Sequence, residues 1–173
     1  MRQLSLDELN RPDLETYRES EKFPIVFVLD NIRSALNVGS IFRTADALGL
    51  EGVHLCGITA QPPHRDILKT AIGATESVVW TADQTTVQCV DDLHSEGYYV
   101  VAVEQTDKSV SIQNFKVEGK LALVLGNEVK GVSPEVLAVC DAAIEIPQFG
   151  TKHSFNVSVC AGIVGWELVK RLL

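Results

Sequence analysis

Four cysteines are all that the 173 residues contain, and no two of them form a CxxC pair. Cys56, Cys89, Cys140 and Cys160 sit among apolar neighbours, which points to reduced, buried thiols and against a disulfide framework or a zinc site. His54, His64, His94 and His153 are scattered without ligand spacing, so no metal is expected. No apolar stretch approaches the roughly 20 residues of a membrane span. The first residues, MRQLSLDELNRPDLETYRES, lack the apolar core of a secretory signal, so the expected location is cytoplasmic, away from any membrane. No GxGxxG occurs, and GNEVKG (126–131) is followed by Val132 where a phosphate loop requires lysine. Positive charge is also scarce, with 15 Lys and Arg against 23 Asp and Glu and a net charge of −8. A nucleic-acid partner would therefore need a local basic surface, because the chain as a whole repels phosphate.

Apolar runs of strand length are what the chain has in quantity. FPIVFVLDN (23–31), GVHLCGI (52–58), SVVWTA (77–82), YYVVAVEQ (98–105), KLALVLGNE (120–128) and AAIEIPQ (142–148) carry little polar alternation. Such runs suit strands covered on both faces, the mark of a parallel sheet. Helical segments fall between most of them: the amphipathic NIRSALNVGSIFRTADALGL (31–50), QCVDDLHSEG (88–97), and SPEVLAVC (133–140) with Ser133 as N-cap and Pro134 in the first turn. A last helix is expected near 154–172, with Ser154 as its cap and Asn156 one turn in. Strand–helix alternation at this spacing implies an α/β fold, a mostly parallel sheet flanked by helices. Residues 1–22 read as a short helical arm with a turn at Arg11–Pro12, and residues 23–173 as one domain.

In sheets of this kind ligands bind beyond the carboxyl ends of the strands. The polar clusters obey that rule: Asp30-Asn31, Gly126-Asn127-Glu128 and the stretch from Pro147 to Ser154 each follow a strand. Taken singly, each has a plain reading as well. Gly126 suits an ordinary turn, Glu128 a surface pair with Lys130, and Ser154 a helix cap.

Three clusters in order, NIRSALNVGSIFRTADALG, LALVLGNEVKGVSPEVL and IEIPQFGTKHSFNVSVCAGIVGWELVKR, resemble motifs one, two and three of the SpoU/TrmH family of RNA ribose methyltransferases, within the SPOUT superfamily. LKTAIGATESV (68–78) resembles the stretch between the first two motifs, and the likeness runs from about Phe23 to the end. The resemblance implies a C-terminal deep trefoil knot, S-adenosylmethionine as cofactor, a homodimer, and methylation of a ribose 2′-hydroxyl. By motif it implies a catalytic centre of Asn37, Arg43, Glu128, Ser154 and Asn156. The cofactor would lie against Leu125, Gly126, Asn127, Ile146, Pro147, Ser154 and Phe155, and RNA against Arg33, Arg43 and Lys152. Phe155 and Gln148 depart from the leucine and methionine more usual at those places. Minimal members of the family often act on tRNA, which favours tRNA over rRNA here.

The chemistry suits these residue types. Methyl transfer from a sulfonium to a hydroxyl is an in-line displacement whose barrier falls mainly through positioning. A guanidinium is an awkward base, so Arg43 is expected to grip the phosphate beside the target ribose with a forked contact. Arg33, Lys69, Lys152, His153, Lys170 and Arg171 would supply the local basic surface. The apolar positions Ile163, Val164, Trp166, Leu168 and Val169 exceed what one buried face needs and agree with a dimer. Two other readings share the fold: a non-catalytic RNA-binding or assembly protein, and a SPOUT enzyme that methylates a base nitrogen.

Overall fold

A computed structural model describes residues 1–5, 7–116 and 118–173. After α1 (Leu14–Glu19), the elements run β1 (Phe23–Asp30), α2 (Ala35–Leu48), β2 (Leu50–Cys56), α3 (Arg65–Ala71), α4 (Ala74–Ser77), β3 (Trp80–Asp83) and α5 (Thr86–Ser95). They continue with β4 (Tyr98–Val103), β5 (Val110–Ser111), β6 (Lys120–Leu125), α6 (Pro134–Leu137), β7 (Ala142–Glu145) and α7 (Val157–Val169). The seven strands form one sheet in the order β3-β2-β1-β6-β4-β7-β5, parallel throughout.

The apolar runs are explained by burial on both faces. In β1, Ile25, Phe27 and Leu29 join one core, with α2, α3 and α7, while Val26 and Val28 join the other, with α5. Side chains alternate across a strand, so a strand between two helical layers needs no polar positions. Each fully buried side chain of this size contributes about 1.5–3 kcal/mol over an exposed one.

The boundaries shift where local chemistry overrides the apolar pattern. Residues 77–79 are outside the expected strand 77–82: Ser77 ends α4, its hydroxyl bonded to the Asp46 carboxylate and the Ala74 carbonyl, and β3 begins only at Trp80. The segment 133–140 contains one turn of helix, Pro134–Leu137, and Ser133 occupies the cap position without a side-chain cap bond. Ser154 does not cap the final helix. Asn156 does, accepting the Ser158 amide N–H at 2.9 Å, so the helix starts at Val157. The polar arm lies against α2 and α4 through two contacts: Tyr17 Oη donates to the Asp46 carbonyl at 2.9 Å and Arg18 Nε to the Glu76 carbonyl at 2.9 Å.

α7 packs on α2, and Gly165 permits the approach, because a Cβ there would stand 2.7 Å from Leu48 Cδ1. Val164, Leu168 and Val169 are core, Ile163 is half-buried, and Trp166 and Val159 are 53% and 50% exposed. The unspent apolar surface of this helix is therefore Trp166 and Val159. No helix among the described residues is long and apolar enough to cross a membrane.

Candidate active site

A cavity of 680 Å³ opens at the carboxyl ends of β4, β6 and β7. Its floor is the turn that follows β6. Gly126 is obligatory there, since a Cβ would lie 2.2 Å from the Val132 nitrogen and 2.3 Å from the Gly131 carbonyl carbon. Gly131 closes the turn at φ +70°, in the left-handed region that favours glycine. Asn127 and Gly131 exchange backbone hydrogen bonds of 3.0 and 2.8 Å across it. The Asn127 side chain accepts from the Val129 and Lys130 amides and donates to the Asn31 carbonyl at 2.7 Å, which ties the turn to the end of β1.

Glu128 stands at the start of α2, and its surface pair with Lys130 does not form. Its Oε2 accepts the Arg33 amide N–H at 2.9 Å, and its Oε1 accepts the Ser34 amide at 3.0 Å and the Asn37 side-chain amide at 3.0 Å. Burial pushes its carboxyl up, and the donors Arg33, Asn37 and Ser34 outweigh burial, leaving it below the usual carboxylate range. An anion at a helix N-terminus is favoured further by the unpaired N–H groups there. Asn37 Oδ1 in turn accepts from Asn156 Nδ2 at 3.2 Å. A continuous polar relay, Glu128–Asn37–Asn156, thus joins the turn after β6, the first turn of α2 and the cap of α7. Residues 37, 128 and 156 meet although the chain separates them by up to 119 positions.

Of the expected cofactor residues, Leu125, Gly126, Asn127, Ile146, Ser154 and Phe155 line the cavity. Pro147 does not, although its neighbours Ile146 and Gln148 do. Arg43 is also elsewhere. Asn37 and Arg43 are six residues apart, about 240° around a helix of 3.6 residues per turn, so the two side chains leave α2 on different faces. Arg43 is exposed in a shallow 520 Å³ depression with Lys69, Thr70 and Gly162. Arg33 and Lys152 are exposed and line neither cavity.

The basic surface is smaller than expected. Arg171 is spent inside the fold: it pairs with Glu167 at 2.7 Å and donates to the carbonyls of Ile112, at 2.7 Å, and Phe115. Lys170 pairs with the same Glu167 at 2.7 Å. Arg43 and Lys69 sharing one depression are the cationic pair that the fold brings together.

Glu104 escaped sequence reasoning. It lines the cavity at the end of β4, accepting the Val132 amide at 3.0 Å and the Gln105 amide at 2.9 Å. Its signal was present, an acid directly after the apolar run YYVVAV, in the same strand-end position as Asp30. Cys160 stands on the cavity wall, where burial and then the charge of Glu104 push its thiol up to about 11.

Comparison with known proteins places this geometry. The tRNA (guanosine(18)-2'-O)-methyltransferase of Borreliella burgdorferi is 32% identical over 148 residues, covering 86% of this chain and 67% of that protein. The structure of the AdoMet-bound rRNA methyltransferase from Sinorhizobium meliloti superposes with a TM-score of 0.82 at 28% identity, covering 91% of this chain and 60% of its own. The A. aeolicus TrmH/SpoU tRNA modifying enzyme gives 0.80 at 27% identity, covering 91% and 81%. The chain thus spans about three fifths to four fifths of these relatives. The profile of the SpoU rRNA Methylase family matches residues 24–166, which takes in all of the sheet but Phe23 and all three arms of the relay. This chain belongs to the SpoU rRNA Methylase family.

Proposed function

We propose that the protein transfers a methyl group from S-adenosylmethionine to a ribose 2′-hydroxyl of RNA, with tRNA favoured over rRNA. The observation that carries this reading is the Glu128–Asn37–Asn156 relay at the rim of a 680 Å³ cavity, a volume that suits a cofactor of this size. The lining charges agree: Glu104, Glu128 and Glu145 face Lys130, a balance that attracts a sulfonium cation and opposes a free phosphate. Leu125, Ile146 and Phe155 supply apolar wall for an adenine, and the bare backbone at Gly126 permits close approach. The relationship to an enzyme named for tRNA guanosine methylation supports the RNA substrate class and the tRNA preference.

S-adenosylmethionine supplies an electrophilic methyl carbon when bound. The chain's own residues then have two tasks. The relay fixes the entrance to the cavity, holding Asn156 and the Ser154-Phe155 segment before α7 in register with the turn after β6. Arg43, with Lys69 beside it, grips an RNA phosphate and sets the 2′-hydroxyl, whose proton leaves to phosphate or water. Because one chain keeps Arg43 away from its own cavity wall, we assign that grip to Arg43 of a second copy, in a homodimer joined through the exposed Val159 and Trp166 of α7. We further assign the deep trefoil knot to the passage from β6 through β7 to α7, where two cavity-lining turns lie side by side.

Incubation with S-adenosylmethionine and total tRNA, followed by mass spectrometry of the nucleosides, tests the reading. The expected product is a 2′-O-methylated nucleoside. A methylated base would move the chemistry to the ring nitrogen, and RNA binding without any transfer would make the chain a non-catalytic member of its family.

A further inference from the structure

One imidazole and two thiols that lack ligand spacing in sequence lie together on the far side of the sheet from α7. β2 and β3 pair with His54 opposite Thr81 and Cys56 opposite Asp83, so all four side chains share one face. α5 lays Cys89 over that face from its first turn. One ligand atom each from His54, Asp83 and Cys89 lies within 4.8 Å of the others. Cys56, buried on the same face, lies outside that group.

We propose that His54, Asp83 and Cys89 form a site for a thiophilic divalent cation, zinc by preference. Nitrogen, carboxylate oxygen and sulfur are the donors that zinc takes, and a water completes the tetrahedron beside three protein ligands. The spacing fits. Tetrahedral nitrogen and oxygen ligands about 2.0 Å from zinc stand roughly 3.3 Å apart, and His54 Nδ1 lies 3.5 Å from the Asp83 carboxylate. Thr81 Oγ1 bridges the two, 2.8 Å from His54 Nδ1 and 2.9 Å from Asp83 Oδ2. A bound cation takes the place of that hydroxyl at both donor atoms, and the imidazole then carries its proton on Nε2. Access exists, because the His54 and Asp83 side chains are 20% and 24% exposed whereas Cys89 is closed off behind them. The site would clamp the short edge strand β3 to β2 and to α5.

The metal-stripped full chain, titrated with Co²⁺ as a spectroscopic stand-in, tests this independently of methyl transfer. The expected result is one equivalent bound, with a thiolate-to-cobalt charge-transfer band that Zn²⁺ abolishes, and a rise in melting temperature with zinc. Cys89→Ser and His54→Gln should each lose the band and weaken zinc binding at least roughly tenfold, while Cys140→Ser keeps it. His54→Gln, at a partly exposed strand position, keeps the test decisive if Cys89→Ser does not fold. No band in the wild-type chain, or a band that survives His54→Gln and is lost in Cys140→Ser, overturns the proposal.

Discussion

Replacing Glu128 by glutamine removes one carboxylate oxygen and nothing else in size. Oε1 serves two donors, Ser34 N–H and the Asn37 amide, whereas Oε2 serves Arg33 N–H alone. The amide will therefore keep its oxygen toward Ser34 and Asn37 and turn its NH2 against Arg33 N–H, donor to donor. The loss is one hydrogen bond to a charged acceptor, about 1–1.5 kcal/mol after allowing for its exposure. Removal of an anion from the first turn of α2 adds about 0.5 kcal/mol. At roughly 2–4 °C per kcal/mol for a chain of this length, melting should fall by about 3–8 °C at pH 7. The pH dependence follows from the lowered carboxyl. A group with a depressed folded-state pKa stabilises above its unfolded value and loses that contribution as pH falls through the folded one. The gap between wild type and Glu128→Gln should thus be full at pH 7 and close below the usual carboxylate range. Differential scanning calorimetry from pH 7 to pH 3 reads both. A variant that melts with the wild type at pH 7, or a gap that widens in acid, would refute the relay as drawn.

Mixed dimers test the placement of Arg43. Arg43→Ala and Asn156→Ala chains, each inactive alone, should recover about a quarter of wild-type methylation when mixed and allowed to exchange, since half the dimers would then carry one intact site; no recovery would place Arg43 and Asn156 in the same copy's site. Arg171→Met strands the carbonyls of Ile112 and Phe115 and should cost about 1–2 kcal/mol in a thermal melt, while RNA affinity in a filter-binding assay stays unchanged; weakened binding would return Arg171 to the RNA surface. Cys160, with its thiol raised to about 11, should alkylate slowly at pH 7 and faster toward pH 10, and S-adenosylmethionine should protect it; reaction at the rate of a free thiol at pH 7, measured by mass spectrometry, would remove it from the cavity wall.

How much of this was legible in the sequence depended on what each residue had to satisfy. The run 23–31 announced β1 because both its faces are buried, and the α/β class followed from several such runs. SVVWTA is a strand only in its second half because apolar content cannot distinguish Val78 at the end of a one-turn helix from Trp80 in the sheet, and Val79 is 70% exposed. Helices of four residues, α4 and α6, are too short to show a period. Motif order grouped Asn37 with Arg43, yet helical spacing alone separates them, and the fold obeys the spacing. The cap of α7 moved from Ser154 to Asn156, two residues on, because a side-chain amide can accept from Ser158 while donating to Asn37. The His54, Asp83 and Cys89 cluster had no linear signal, since strand pairing and not spacing assembles it.

The account's central claim is that the cavity floored by Gly126 holds S-adenosylmethionine while Arg43 stands outside it. Calorimetric titration of the cofactor into wild type, Gly126→Val and Arg43→Ala tests this directly. A side chain at 126 has no room beside Val132 and Gly131, so Gly126→Val should bind at least roughly a hundredfold more weakly, a cost of about 2.7 kcal/mol, and Arg43→Ala should bind as the wild type does. Undiminished binding by Gly126→Val, or binding lost in Arg43→Ala, would contradict it.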